Sequence, residues 1–436
     1  MKNVLIISPC ATRSGYGDHA RSLIRSLIKM NKFNITLISV PWGMTPMDAL
    51  DKENDKDIID LIHDMNTPIN QPPDIFIQVS IPNEFQRNGK YLNIGITAGI
   101  ETNGCSLQFI EGVNRMDMTI ATSEFTKKTL VETTYKDNIG QEIRTTKPIE
   151  VLFEGIDTDI YDCDLIHKSS QLKTALNTIE ESFNFLICGQ LIGGEFGHDR
   201  KNIPMTIALF LETFARAPKK PGLILKTGNT FSELEKKNIM SYIAEIKEMV
   251  SKKIKLPVSK LPNVYLVHGN LTDAEMSDLY NHNKVKAMIL LTKGEGFGRP
   301  LLEFTMTKKP IITTNWSGHL DFLNEDNSFL IDGKLEPIHE SVVNDWLVAN
   351  SQWMYVDNQK AVDAMLYIFQ NYKSADVESK VRKAYKNTSE NFTLDKMTEK
   401  FDEILEKYTK DIPEEITLSF PDFGDFEVEE VANESE

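Results

Sequence analysis

Glu295 and Glu303 bracket the run Gly296-Phe297-Gly298-Arg299-Pro300-Leu301-Leu302, with Lys293-Gly294 immediately ahead. Ionised carboxylates accept hydrogen bonds from paired hydroxyls, so both are candidate receptors for a sugar or a ribose. Gly294, Gly296 and Gly298 carry no side chain, which lets the amides of residues 296–298 approach phosphate or sugar oxygens where a helix begins. A ligand with both hydroxyls and phosphates, such as a nucleoside diphosphate sugar, suits that combination. A departing diphosphate accumulates negative charge, and a cation held beside it stabilises the transition state. The run Asp199-Arg200-Lys201-Asn202 supplies Lys201 as that candidate, with Arg200 next to it. Taken singly, each of these residues fits a solvated surface charge equally well; a shared crevice is what would make them a site.

The elements that must build such a crevice are legible as apolar runs. Ala287 to Leu291 is short, apolar and tightly bounded, like a buried parallel strand. Pro300 with Leu301, Leu302 and Met306 reads as the first turn and apolar face of the helix that follows. The first half of the chain has comparable strands at Val4 to Ile7, Ile35 to Val40, Ile75 to Val79, Leu92 to Ile96, Met118 to Ala121 and Val151 to Phe153. The second half repeats them at Phe185 to Cys188, Leu223 to Leu225, Val264 to Val267, Ala287 to Leu291, Pro310 to Thr313 and Phe329 to Ile331. Strands alternating with helical patterns predict an α/β protein of two doubly wound, Rossmann-like domains. Between the first two strands, Ala20, Leu23, Ile24, Leu27 and Ile28 keep helical spacing, which puts Arg21 and Arg25 outward. The expected domains are 1–165 and 166–392, with a hinge in the polar, helix-poor stretch from about Asp157 to Ser182. A helix over 393–410 follows, capped by Thr393 and striped with Met397, Phe401, Ile404, Leu405 and Tyr408. Residues 411–436 contain no Lys or Arg and read as a mobile acidic tail.

A chain of 436 residues exceeds the usual size of one core, in keeping with two domains. Its net charge of −16 and pI near 5.1 argue against a general polyanion-binding surface. Cys10, Cys105, Cys163 and Cys188 are scattered and lack metal-ligand spacing, which points to a reducing cytoplasm. No apolar run approaches the length of a transmembrane segment, while peripheral membrane association stays open. Asp157-Thr158-Asp159 and Asp162-Cys163-Asp164 imitate a D-x-D metal motif, but acids in such a turn usually cap a helix, so neither a metal nor a resident cofactor is expected.

Three further segments follow strand ends, beyond which the ligand crevice of an α/β sheet lies. In Ser14-Gly15-Tyr16-Gly17-Asp18-His19, which joins the first strand to the first helix, Gly15 and Gly17 would let the loop approach a ligand. His19 is an acceptor-side candidate whose alternative is capping or packing. Glu101, just beyond the fourth strand, either meets the acceptor or the reacting sugar, or caps a helix. Trp316, in Trp316-Ser317-Gly318-His319, borders a nucleotide base or packs in the core, and His319 alone carries little information.

From Lys293 to Glu303 the chain resembles the E-x7-E signature of retaining GT-B glycosyltransferases of the family-four type. The likeness runs to about Tyr408 and is strongest from Phe185 to Asp332. It implies a GT-B fold and a metal-independent transferase that moves a sugar from a nucleoside diphosphate sugar, its co-substrate, with retention of anomeric configuration. It further implies that Glu295 and the amides of Gly296, Phe297 and Gly298 orient the donor sugar, that Glu303 holds the ribose and that Lys201 stabilises the leaving diphosphate. Residues 1–165 would be the acceptor-side domain, its glycine loop reaching the donor. The last helix would cross back onto this domain, with packing on the second domain the alternative. Family members carry an Arg soon after the first strand of the second domain, whereas this chain has Gln190. Arg200 is then a substitute, or the protein is a catalytically silent sugar-nucleotide-binding subunit. The implied acceptor is a glycan or lipid-linked glycan; modified bases of viral DNA are the nucleic-acid alternative, which the acidic balance disfavours.

Overall fold

The alternating apolar runs fold into two six-stranded parallel sheets. The computed structural model describes residues 1–64, 66–69, 72–165, 170–228 and 230–413. The first sheet contains β1 (Lys2–Ser8), β2 (Phe33–Ser39), β3 (Ile75–Val79), β4 (Leu92–Thr97), β5 (Met118–Ala121) and β6 (Ile149–Val151), in the order β2-β1-β3-β4-β5-β6. The second contains β7 (Asn184–Cys188), β8 (Gly222–Thr227), β9 (Val264–His268), β10 (Val285–Leu290), β11 (Ile311–Thr314) and β12 (Phe329–Ile331), in the order β9-β8-β7-β10-β11-β12. Each order reverses once, between β1 and β3 and between β7 and β10. In open parallel sheets the ligand crevice lies beyond the carboxyl ends of the strands that flank such a reversal.

Helix α1 (Gly15–Met30) follows β1, with Ser14 Oγ accepting from the Gly17 amide at 3.0 Å and Asn31 closing it in the left-handed conformation. Helices α2 (Leu107–Arg115) and α3 (Glu124–Glu132) follow β4 and β5, whose residues are all buried. In the second domain α4 (Ile203–Phe214), α5 (Asp273–Asn281) and α6 (Arg299–Thr305) follow β7, β9 and β10. Arg21 departs from the outward position its spacing suggests. It is buried, donates to the carbonyls of Cys10 and Thr12 at 2.8 and 3.1 Å, and pairs with Asp18, because the β1–α1 loop folds back over that face of the helix. Arg25, half-buried, pairs with Asp55.

The passage between domains lies earlier than the composition suggests. Leu152 belongs to the first core, whereas Ile156 and Tyr161 belong to the second. The polar stretch beyond Asp157 is not helix-poor either; it contains the helix Ser170–Asn177, with residues 166–169 outside the described set. Its polarity reflects exposure of turns and one helix rather than a linker. The chain returns beside its own exit: the Ile156 amide donates to the Phe392 carbonyl at 2.9 Å and the Leu394 amide to the Ile156 carbonyl at 2.7 Å.

Helix α7 (Leu394–Thr409) then lies on α1. Met397, Phe401 and Leu405 are buried in the first core with Leu23, Ile24 and Leu27, Ser26 and Thr398 hydroxyls meet at 2.8 Å, and Lys32 reaches Asp402 and Glu406. Ile412 still packs in that core, so chain expected to be tail is anchored there; residues 414–436, the remainder of the expected tail, lie outside the described set. Truncating fully buried Phe401 to alanine removes a large apolar side chain and leaves a cavity, so chemical denaturation should show a loss of about 3–5 kcal/mol. A loss under about 1 kcal/mol would show that α7 is not part of the first core's cooperative unit.

After β12 the second domain adds an antiparallel hairpin, β13 (Gly333–Pro337) and β14 (Gln352–Val356). Residues 338–351 between its strands reach the first domain, where Trp346 stacks on Phe109 with centroids 6.0 Å apart. The Asn103 amide donates to the Gln352 carbonyl at 2.9 Å, and the Gln352 amide to Asn103 Oδ1 at 2.7 Å.

Candidate functional site

The carboxyl ends of the two sheets face one another across a cavity of about 1390 Å³, and most of the residues singled out from sequence line it. On the second-domain side the loop after β10 passes through Lys293 to Gly298 and opens α6. Gly298 sits at the N-cap with φ 98°, a conformation that favours glycine, and Pro300 occupies the first turn. Among the described residues the amides of Gly296, Phe297 and Gly298 have no hydrogen-bond acceptor.

Two of the loop glycines serve a purpose other than ligand approach. A Cβ on Gly294 would lie 1.9 Å from the Glu101 carbonyl oxygen, and one on Gly296 would lie 1.6 Å from the Ala98 carbonyl oxygen. Their bare faces are turned to the loop after β4, so the absent side chains allow the two domains to touch. Ser123 Oγ donates to the Gly296 carbonyl at 2.5 Å, and the Glu124 amide donates to Asp321 Oδ2 at 2.9 Å, completing the seam.

At the centre of the cavity Lys201 Nζ donates to both carboxylate oxygens of Glu295 at 2.7 and 2.9 Å, and Arg200 Nη1 reaches Glu295 Oε2 at 3.2 Å. Burial works against ionisation of Glu295, yet these two cations hold its pKa at about 2. Arg200 also faces Glu101, Nε to Oε1 3.5 Å, across the domain boundary. Glu101 therefore lies in the cleft and does not cap a helix, since α2 begins only after Ser106.

The loop that presents both cations is braced from below by Lys293, a residue whose role the sequence did not disclose. Its fully buried ammonium donates to the Asp199 carbonyl at 2.6 Å and to Asn202 Oδ1 at 3.1 Å, under the rings of Tyr355 and Trp353. Burial pushes its pKa down to about 8.

Glu303 lies one turn into α6, where its carboxylate accepts from Arg299 Nε at 2.9 Å and from the Tyr280 hydroxyl at 3.0 Å. Burial outweighs the pull of Arg299 and raises its pKa to about 7. Glu154, buried beside the same guanidinium at 3.9 Å, is raised by burial to about 8. Burial works against the charge on Arg299, but Glu303, Asp18 and Glu154 together hold it charged. The Arg299–Glu303 pair has helical i,i+4 spacing and was readable in principle; Glu154 and Asp18 come from distant segments and carried no such signal.

The first-domain residues separate into two groups. Gly15 lines the cavity, whereas Gly17 does not; a Cβ there would lie 2.2 Å from the Thr12 carbonyl oxygen, so its bareness serves the turn and not a ligand. His19 is fully buried away from the cavity, with both ring nitrogens unpartnered and its pKa lowered by burial to about 3. Helical geometry turns it inward, which removes it from the acceptor side. Trp316 packs edge-on against Phe125 and lies outside the cavity lining, while buried His319 faces the Thr314 carbonyl at 2.7 Å. Asp157 and Asp162 brace their own turns, accepting from the amides of Asp159 and Asp164 at 2.9 Å, and cap no described helix. Asp162, Cys163 and Asp164 present their ligand atoms close together, but Asp162 also accepts from the Tyr385 hydroxyl at 2.7 Å and the group lies outside the cavity. Gln190 Oε1 accepts from the Gly228 amide at 3.1 Å, and Arg200 turns to Glu101 and Glu295 rather than toward it.

Solved structures share this fold over their whole length. A glycosyltransferase from Rickettsia africae ESF-5 superposes with a TM-score of 0.61 at 17% identity, covering 94% of this chain and 99% of its own. Anabaena HepE, solved with UDP and glucose, gives 0.58 at 12% identity and covers 93% and 100%. Sucrose-phosphate synthase from Thermosynechococcus elongatus gives 0.61 at 11% identity and covers 94% and 100%. The chain has the GT-B fold. At these identities the likeness is one of architecture; no protein-family model and no curated protein sequence matches the chain. In this GT-B protein the cleft residues come from both domains, and among the described residues no helix is long and apolar enough to cross a membrane.

Proposed function

We propose that this GT-B protein is a retaining glycosyltransferase that moves a sugar from a nucleoside diphosphate sugar to a hydroxyl of a glycan or lipid-linked glycan. The observation that carries the reading is the Arg200–Lys201–Glu295 cluster placed with Glu303 in one cavity, at the carboxyl ends of β7 and β10. Glu303 receives the ribose hydroxyls. Glu295, already ionised, receives sugar hydroxyls with the amides of residues 296–298 alongside. Lys201 then meets the charge that grows on the diphosphate as the bond from the anomeric carbon to the phosphate oxygen breaks.

In front-face substitution the acceptor oxygen bonds the anomeric carbon on the side the phosphate leaves, and the acceptor proton passes to the departing phosphate oxygen. Side-chain cations meet the developing charge in this scheme, and it requires no metal. Carboxylates outnumber Lys and Arg around the cavity by eleven to seven, which favours a neutral, hydroxyl-rich acceptor over nucleic acid. UDP-glucose, bound by Anabaena HepE, is the first donor to try. A second reading, binding without transfer, is motivated by neutral Gln190 and is separated from the first by assaying for glycosylated product.

The ribose assignment has a pH signature. Burial holds the Glu303 pKa at about 7, and the ionised form is the one that accepts two hydroxyls. UDP affinity measured by calorimetry should therefore strengthen as pH rises from 6 to 8, and this part of the pH dependence should disappear in Glu303→Gln, since ionisation of the diphosphate itself is common to both proteins. Identical profiles for the two would remove Glu303 from the ribose site.

A further inference from the structure

The cations of the cleft differ in how far their charge is compensated. Lys201 and Arg200 are both committed to carboxylates, Lys201 to Glu295 and Arg200 to Glu295 and Glu101. An incoming diphosphate meets there a field already largely cancelled. Lys226 is different. It stands at the carboxyl end of β8, in register with Cys188 of β7, and its side chain lines the same cavity. It is only 7% exposed, yet among the described residues no carboxylate lies within ion-pair distance, and its ammonium makes one long contact, 3.5 Å to the Gly228 carbonyl. Burial lowers its pKa, as expected for an ammonium short of partners.

Glu235 attracts the ammonium only from beyond ion-pair distance; a buried cation with no close carboxylate is costly and is satisfied by an anionic ligand. The anion would sit at the turn that leaves β7. The stem of Lys201 passes over Gly189, where a Cβ would lie 3.9 Å from its Cδ, while Lys226 stands beside Cys188 in the neighbouring strand. The two ammonium-bearing side chains thus flank the turn that leaves β7, the strand at the reversal of the sheet. The Gln190–Gly228 hydrogen bond ties the loops that follow β7 and β8.

We propose that Lys226 is a diphosphate-binding residue of this cleft, the cation that supplies the net positive charge Arg200 and Lys201 lack while they are paired. The proposal rests on the nucleotide-sugar reading above and deepens it: Lys226 holds the nucleoside diphosphate beside the turn at Cys188 and Gly189, where Lys201 meets the charge that grows on it as the bond breaks.

The test is calorimetric titration of wild type, Lys226→Met and Lys226→Arg with UDP, ADP, GDP and inorganic pyrophosphate, together with a melting curve for each protein. Lys226→Met should bind the nucleoside diphosphate and pyrophosphate about tenfold or more weakly, with Lys226→Arg recovering most of the loss. Its melting temperature should not fall, because the methionine removes an uncompensated buried charge; a lysine with a purely structural role would show the opposite, a lower melting temperature with unchanged affinity, and that result overturns the proposal. Equal binding of UDP by wild type and Lys226→Met overturns it as well and leaves the nucleotide-sugar reading standing. A wild type that binds none of the four ligands overturns both.

Discussion

Replacing Lys201 by alanine should lower turnover by about 10²- to 10³-fold while changing donor affinity by much less. The asymmetry follows from where the ammonium sits. Its charge is compensated by Glu295 at 2.7 Å, so it adds little net field for a ground-state donor. As the glycosidic bond breaks, charge on the diphosphate oxygens rises, and an ammonium already positioned needs no reorganisation to meet it. The variant also leaves Glu295 with one close cation, Arg200 at 3.2 Å, in place of two, which loosens the carboxylate that orients the sugar. Steady-state kinetics with saturating donor check this: kcat should carry the loss and KM should move little. A loss confined to KM would place Lys201 in binding only, and normal turnover would remove it from the mechanism.

Gly296→Ala should be nearly as damaging by a different route. The new methyl group would have to occupy space 1.6 Å from the Ala98 carbonyl oxygen, a backbone atom that cannot swing aside. The glycine loop and the first domain must separate, taking with them the Ser123–Gly296 hydrogen bond and the approach of Arg200 to Glu101. A shift of about 1 Å between reacting groups can cost about 10²-fold, so kcat/KM should fall by at least that much. Nucleoside diphosphate affinity should stay within a few-fold, because the residues assigned to it belong to the second domain. Turnover within about twofold of wild type would mean that the domain contact is not part of the reactive geometry.

How much of this was legible in the sequence follows from the range of the forces involved. Each of the twelve strands of the two parallel sheets came from a local signal, an apolar run bounded by polar or turn residues, and their alternation with helices set the architecture. Strand ends shifted by a residue or two, as at β6, where the expected Val151 to Phe153 became Ile149–Val151. The chain passes from the first core to the second between Leu152 and Ile156, ahead of the polar stretch, because polarity marks exposure and not connectivity. Lys201, Glu295 and Glu303 were named from spacing and resemblance, but the contacts that join them to one another and to their neighbours were not. The salt bridge of Arg200 to Glu101, the bracing of the Asp199–Asn202 loop by Lys293, and the meeting of Glu154 with Arg299 all join residues far apart in the chain. Gly294 and Gly296 were noted for the wrong neighbour, since bare backbone announces close approach without saying what approaches. His19 and Gly17 lost their candidacy for the same reason, being turned into the protein by the helix and turn that carry them.

The most direct test of the account is to mix the purified protein and its Glu295→Ala variant with a panel of nucleoside diphosphate sugars, beginning with UDP-glucose, and to follow thermal shift and release of nucleoside diphosphate together. Stabilisation by one donor with slow release of its nucleoside diphosphate, both diminished in Glu295→Ala, is the predicted result. A protein that neither is stabilised by any donor nor releases nucleoside diphosphate from one would contradict the claim that this cleft is a nucleotide-sugar site.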